Sequence, residues 1–128
     1  MAWQFNSNRP IYQQIVDEIE LRILNGTYEM GMRLPSVRDL AVTAAVNPNT
    51  MQRALAELEE MGLVTTQRNT GRTVTTDEAA VSRARDVKAD LLAETFMMQM
   101  QALGLSRKEV LERLAKGESK EGEHAVNS

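Results

Sequence analysis

Apolar residues recur at helical spacing in three segments of the N-terminal half of the chain. They predict three helices, with apolar positions Ile11, Ile15, Ile19 and Ile23 in the first, Val37, Leu40, Ala41 and Ala44 in the second, and Met51, Leu55 and Leu58 in the third. Ser36 is expected to cap the second helix, with Asp39 as its partner in a capping box. Asn47 and Pro48 open the third helix, because a proline at the first helical position needs no backbone donor. Gly62 is expected to end it.

Two β-prone runs follow the third helix. Residues 63–67 and 72–76 are rich in Val and Thr, and turn-forming residues separate them, which predicts a β-hairpin. Three helices followed by a hairpin is the element order of a winged helix-turn-helix. The pattern therefore predicts such a domain over residues 1–76.

The C-terminal part of the chain has a different pattern. Residues 78–103 contain no Pro or Gly and are dense in apolar side chains, which predicts one long helix with a wide apolar face. Ser106 and Glu109 form the capping box of a shorter helix, which Gly117 is expected to end. Residues 118–128 are polar and are expected to be a disordered tail.

An apolar face of this width needs a partner, so residues 77–117 are interpreted as a helical dimerisation segment. The residues expected at the dimer contact are Val87, Leu91, Leu92, Phe96, Met100 and Leu103. Met97, Met98 and Met100 could instead line an effector pocket, but Met commonly fills irregular gaps, which favours dimer core. The fold class is thus mainly α with a small β-hairpin: an N-terminal winged helix-turn-helix plus a short C-terminal two-helix dimerisation segment.

The charge of the chain does not by itself indicate a nucleic-acid partner. The net charge is −3, and neither residues 1–76 (seven Arg, eight acids) nor residues 77–128 (eight basic residues, ten acids) are basic overall. Five arginines could nevertheless converge on one face, and local potential is what attracts a polyanion. They are Arg33, Arg38, Arg53, Arg68 and Arg72. A merely mixed surface is the alternative.

The outward face of the third helix has the side chains that suit DNA. Asn49, Gln52, Arg53 and Ala56 lie opposite its apolar positions, and no carboxylate precedes Glu57. Amides and a guanidinium at the start of a helix can contact base edges and phosphates. The helix order and this face together favour a DNA-binding function.

Several other classes of protein are disfavoured. The absence of Cys excludes a disulfide framework and a thiolate metal site, and it fits a reducing cytoplasm. His124 is the only histidine, and no catalytic set or phosphate-binding Gly loop appears, so we expect no metal, no cofactor and no enzymatic activity. The first ten residues lack a secretory signal, and no apolar run could span a membrane, so a cytoplasmic protein is expected.

Several motifs resemble a known family. Pro-Ile-Tyr-Gln-Gln-Ile at 10–15, Leu-Pro-Ser-Val-Arg-Asp-Leu-Ala at 34–41 and Val-Asn-Pro-Asn-Thr at 46–50 resemble the DNA-binding domain of GntR-type bacterial transcription regulators. The Asn-Pro-Asn-Thr turn and the two-helix tail resemble the YtrA subgroup. The resemblance implies a homodimer that binds a dyad-symmetric double-stranded DNA operator, usually as a repressor. It also implies a possible small-molecule effector, whose identity the sequence does not give.

The resemblance implies DNA contacts from eight residues. They are Arg38 on the second helix, Asn47, Asn49, Thr50, Gln52 and Arg53 around the third helix, and Arg68 and Asn69 in the wing. Arg38 could instead be solvated or ion-paired, Asn47 is first a helix cap, and Thr50 could be a neutral edge position. The chain departs from the family pattern at Ala45, where Gly is usual, and at Gln52, where Arg is common.

A second function remains open from the sequence. A winged helix can serve as a protein-interaction module, in which an arginine-rich face binds an acidic partner. Salt dependence and competition between DNA sequences separate the two functions, because only sequence-specific DNA binding discriminates an operator from bulk DNA.

Overall fold

The computed structural model describes residues 3–68 and 71–127, and of residues 118–127 it gives the backbone alone. Within these ranges the elements are α1 (Ile11–Leu24), α2 (Val37–Ala44), α3 (Pro48–Glu60), β1 (Val64–Gln67), β2 (Gly71–Val74), α4 (Glu78–Ala102) and α5 (Arg107–Asn127). This order confirms the predicted winged helix-turn-helix followed by two helices. The chain divides into two compact units, Met1–Arg85 and Asp86–Ser128, and the boundary falls inside α4.

The first unit has a dense apolar core. Most of the side chains that the sequence assigned to the inner faces of α1, α2 and α3 are buried there, together with residues of the hairpin and the start of α4. Ile11, at the start of α1, is 37% exposed, and Val37, at the start of α2, is only partly buried. Ile15, Ile19, Met51 and Leu58 are each 0% exposed, and Val81 of α4 is 5% exposed. The unit therefore extends past the hairpin into the first turns of α4, further than residue 76.

Local capping interactions fix the ends of α2 and α3. The Ser36 hydroxyl accepts a hydrogen bond from the Asp39 N–H at 3.0 Å, as expected of the first half of a capping box. Gly62 has a φ of 81°. This conformation lets the Leu63 N–H donate to the Leu58 carbonyl at 3.1 Å, which closes the end of α3.

Ala45 occupies the left-handed conformation in the turn between α2 and α3. Its φ of 59° and ψ of 48° lie in the region that glycine normally fills. The turn is closed by hydrogen bonds from the Ala45 N–H to the Val42 carbonyl (3.1 Å) and from the Val46 N–H to the Ala41 carbonyl (2.9 Å). The backbone of Ala45 thus adopts the turn geometry, which lowers the stability of the fold by roughly 1 kcal/mol.

The hairpin pairs β1 and β2 antiparallel, with Val64 opposite Val74. Residues 31–34 run along the other side of β2, a pairing that the sequence did not predict. The Gly31 N–H donates to the Val74 carbonyl at 3.0 Å, the Val74 N–H to the Met32 carbonyl at 2.8 Å, and the Leu34 N–H to the Arg72 carbonyl at 2.9 Å. This segment between α1 and α2 therefore holds the wing against the helices.

In the second unit, the capping box before α5 is complete. The Glu109 N–H donates to the Ser106 hydroxyl at 3.1 Å, and the Ser106 N–H donates to the Glu109 carboxylate at 3.2 Å. The structure continues α5 through Gly117 to Asn127, so the helix end expected at Gly117 and the disordered tail expected after it are not what it shows. Each of the two glycines within α5, Gly117 and Gly122, costs the helix only about 1 kcal/mol, and the flanking Glu and Lys residues are good helix formers.

The apolar face predicted in the second unit is exposed to solvent. Val87 is 68%, Leu91 56%, Leu92 61%, Phe96 39% and Leu103 76% exposed, whereas Val110 of α5 is fully buried. Met100 is half-buried. The single chain therefore leaves uncovered most of the apolar area that the sequence assigned to a dimer contact.

Candidate nucleic-acid interface

The start of α3 is shaped by two adjacent residues. The Asn47 side chain accepts a hydrogen bond from the Asn49 N–H at 2.8 Å, and Pro48 is the first helical residue. This confirms Asn47 as the helix cap. The cap takes the Asn49 N–H, and the Asn47 carbonyl accepts hydrogen bonds from the Thr50 N–H at 3.0 Å and the Met51 N–H at 3.1 Å. The positive end of the helix dipole is therefore what favours an anion at this helix start.

The buried and exposed sides of α3 are those that the sequence predicted. Met51 and Leu55 lie in the core, whereas Asn49, Gln52 and Arg53 are exposed. At 100° per residue, Arg53 and Thr50 are displaced from the outermost line of α3 toward one edge, and Gln52 toward the other. The helix thus presents an open face with two distinct edges.

The first edge of α3 meets α1. The guanidinium carbon of Arg53 lies 3.7 Å from the centroid of the Tyr12 ring, a cation–π stack. A hollow of about 310 Å³ opens beside this pair, lined by Ile11, Tyr12, Asn49, Thr50 and Arg53. The structure therefore brings three of the expected DNA-contacting residues, Asn49, Thr50 and Arg53, to one place.

Glu57 lies one turn after Arg53 on the same edge. It lines a second hollow of about 260 Å³ together with Tyr12, Arg53, Ala56 and Glu60. Its Oε2 atom is buried and has no hydrogen-bond partner among the residues that the structure describes. An unpaired carboxylate oxygen beside an exposed guanidinium makes this edge of α3 electrostatically mixed.

The second edge of α3 meets the wing. Glu59 accepts a hydrogen bond from Arg72 Nε of β2 at 2.6 Å and another from the Thr66 hydroxyl of β1. The Thr66 hydroxyl, followed by the Arg72 guanidinium, holds the pKa of the Glu59 carboxyl below its ordinary value, against the opposing effect of burial. Glu59 thereby fastens the hairpin to α3.

The five arginines considered in the sequence have different surroundings. Arg72 is engaged by Glu59 and is partly buried, so it is not a free positive charge of the surface. The Arg33 guanidinium lies near Gly71, at the turn end of the wing. Arg38 on α2 and Arg68 after β1 are both exposed. Asn69, the remaining expected contact in the wing, lies outside the described residues.

Sequence reasoning missed Tyr12, Glu57 and Glu59 as parts of this surface. Tyr12 belonged to a recognised motif, but a single aromatic residue next to an apolar stripe gives no sign that it stacks on a side chain forty-one positions later. The position of Glu59 on the wing edge of α3 follows from helical spacing, whereas its contact with Arg72 depends on tertiary packing.

Among the described residues, no cluster of three or more His, Cys, Asp or Glu side chains is placed to hold a metal ion. In the same part of the chain, no helix combines the length and the apolar character that crossing a membrane requires.

The chain is similar to known bacterial regulators. Residues 11–74 match the family described as "Bacterial regulatory proteins, gntR family". The uncharacterized HTH-type transcriptional regulator YhcF of Bacillus subtilis (strain 168) is 40% identical over 109 residues, which cover 85% of this chain and 90% of that protein. The HTH-type transcriptional repressor YtrA of the same strain is 43% identical over 65 residues, 51% of this chain and 50% of that protein.

A solved structure matches over nearly the whole chain. It is a GntR family transcriptional regulator from Listeria monocytogenes, with a TM-score of 0.82 and 41% sequence identity. The match covers 88% of this chain and 98% of the other. The similarity therefore includes the C-terminal helices as well as the winged helix-turn-helix.

Proposed function

Because this chain belongs to the GntR family of DNA-binding transcription regulators, with a YtrA-type protein among its relatives, we propose that it is a repressor that binds a dyad-symmetric operator as a homodimer. The observation that carries the proposal is the face of α3 formed by Asn49, Gln52 and Arg53. These side chains are exposed at the capped start of a helix whose opposite side is fixed in the core.

Homodimer formation is supported by the exposed apolar face of the second unit. Val87, Leu91, Leu92, Phe96 and Leu103 together leave an apolar surface that a water-soluble single chain rarely presents. A second copy is the occupant that a dyad-symmetric operator requires, since two identical recognition helices read two half-sites about one helical turn apart. A repressor role is supported by the relative YtrA, which is named a repressor.

The proposed contacts divide into two kinds. Arg53 and Gln52 read base edges in the major groove, where Arg pairs with guanine and Gln with adenine. Arg38 on α2 and Arg68 at the wing contact the DNA backbone and contribute affinity without sequence preference. Asn47, Asn49 and Thr50 surround the start of α3, where the helix N-terminus favours a phosphate. Asn69 completes the proposed wing contact.

The experiment that tests this function is selection from a library of random duplexes of about 30 base pairs by the purified full-length chain. We expect enrichment of an inverted repeat, which supplies an operator-like duplex for all later measurements. A module that binds an acidic protein would retain duplexes in low salt without enriching any sequence, and this outcome would reject the proposal.

The division of contacts is tested with two arginine variants. Arg53→Ala should lower binding to the enriched duplex by about 1–3 kcal/mol per half-site and flatten its ratio to a scrambled duplex. Arg38→Ala is the matched control, since it removes the same side chain from α2. It should weaken both duplexes alike and reduce the salt slope by about 1 for each phosphate that is no longer neutralised. The reverse pattern would mean that α2 reads the bases.

A further inference from the structure

Tyr12 is held firmly at the start of α1. Its ring is partly buried against the core of the first unit, one turn before Ile15, which is fully buried. The Tyr12 hydroxyl accepts a hydrogen bond from Gln13 Nε2 at 3.3 Å. A ring anchored on two sides gives the exposed Arg53 side chain a fixed surface to lie on.

The stack leaves the donors of Arg53 available. The ring covers one face of the guanidinium, at 3.7 Å from its carbon, whereas the N–H groups lie in the guanidinium plane. Arg53 as a whole remains exposed. A long side chain that is already ordered loses less conformational freedom on binding than one that samples many rotamers.

Glu57 offers Arg53 a competing partner. It follows Arg53 by four residues on α3, which places the two side chains on the same side of the helix. Its Oε2 atom is buried and lacks a hydrogen-bond partner among the described residues. Without the Tyr12 ring, the guanidinium would be free to turn toward this carboxylate and away from DNA.

We infer that Tyr12 is a positioning residue for operator recognition: its ring holds Arg53 in the orientation that reads the operator. This inference rests on the proposed function and adds a residue of α1 to the specificity of α3. The hollow that Tyr12 and Arg53 share with Asn49 and Thr50 lies at the start of α3, where contacts to the groove are made.

The test compares Tyr12→Leu with Tyr12→Phe in the full-length chain. The probes are the duplex that the wild-type chain enriches and a scrambled duplex of the same composition. Tyr12→Leu removes the π face and should weaken binding to the enriched duplex about 5- to 30-fold for two half-sites, with little change for the scrambled duplex. Tyr12→Phe keeps the face and should stay within about 2-fold of the wild type.

A double variant separates positioning from folding. Tyr12→Leu added to Arg53→Ala should cause no further loss, because the ring then has no guanidinium to hold. A purely structural role of Tyr12 would weaken both duplexes equally and would add to the effect of Arg53→Ala. Thermal melting of each variant shows whether the first unit remains folded.

Three results would overturn the inference: equal losses on both duplexes, additive losses in the double variant, or tighter operator binding by Tyr12→Leu. The last result would mean that the ring competes with DNA for Arg53. If the wild-type chain enriches no duplex, the proposed function and this inference fail together. Enrichment with additive losses rejects the inference alone.

Discussion

The two compact units of the chain treat similar sequence patterns differently. In the first unit, the rows of apolar residues on α1 and α3 are buried within the chain, apart from Ile11 at the start of α1. In the second unit, the apolar face of α4 is largely uncovered, and Val87, Leu91 and Leu92 are each more than half exposed. Helical periodicity therefore indicates that a helix has an apolar face, but not whether the same chain or a second one covers it.

The sharpest contrast between the units is expected from one leucine in each. Leu58→Ala opens a cavity in the closed core of the first unit and should lower the free energy of unfolding by roughly 2–5 kcal/mol. Leu92→Ala removes an exposed side chain and should change the unfolding of the isolated chain much less. Urea unfolding at low protein concentration measures both, and equal losses would show that Leu92 is already buried in the monomer.

A charge on the exposed face should break the second unit's proposed contact. Phe96→Asp places a carboxylate in the expected dimer interface and should raise the dimer dissociation constant by about 100-fold or more, because an unpaired charge is costly to bury. Gln101→Asp on the same helix is the matched control, since the exposed Gln101 lies about 140° around the helix from Phe96, outside the proposed contact. Sedimentation equilibrium measures the dimer dissociation constant of both variants. A Phe96→Asp chain as dimeric as the wild type would contradict the assignment.

The hydrogen bonds by which Glu59 joins α3 to the wing should depend on pH. Because the folded-state pKa of Glu59 is lowered, these contacts contribute their full stability above the ordinary carboxyl pKa. This stability is lost as the pH falls through the lowered pKa. Glu59→Gln, which mimics the protonated form, should destabilise the first unit by about 1 kcal/mol at pH 7. The difference in free energy of unfolding between Glu59→Gln and the wild type, measured by chemical unfolding, should become smaller in acid. If the two free energies of unfolding differ by the same amount from neutral to acidic pH, the charge of Glu59 does not contribute to stability. Dimer formation should be unaffected at every pH.

The smallest expected effect is at the α2–α3 turn. Ala45→Gly removes the strain of a left-handed alanine but makes the unfolded chain more flexible, so a net gain of about 0.5 kcal/mol is expected. Ala44→Gly, at the neighbouring position inside α2, should instead destabilise by about 1 kcal/mol. Chemical unfolding of the two variants shows whether each substitution raises or lowers the free energy of unfolding. A loss from Ala45→Gly would mean that the turn does not strain the alanine.

The parts of the fold that were predictable have local causes. Ser36 and Asn47 start helices through hydrogen bonds to residues two or three positions on, and Gly62 ends one by its own φ. The pairing of residues 31–34 with β2 was not predictable, because it joins segments forty residues apart and residues 31–34 have no strand pattern. The continuation of α5 past Gly117 was missed because a glycine was interpreted as a helix end where it is only a weak interruption.

The candidate site was predictable as far as helical geometry reaches. The periodicity of Met51 and Leu55 placed Gln52 and Arg53 on the exposed side, as the structure confirms. It could not show that Arg53 stacks on Tyr12 or that Arg72 is engaged by Glu59, because both contacts join different elements. Side-chain charges can be counted in a sequence, but their partners depend on packing.

The central claim is that the first unit folds alone and the second makes the dimer. It is tested most directly by sedimentation equilibrium of the full-length chain and of a chain that ends at Arg85, which keeps Val81 and Ala84 against the core. We predict a dimer for the full-length chain and a folded monomer for the shortened one. A shortened chain as dimeric as the full-length protein would contradict the account.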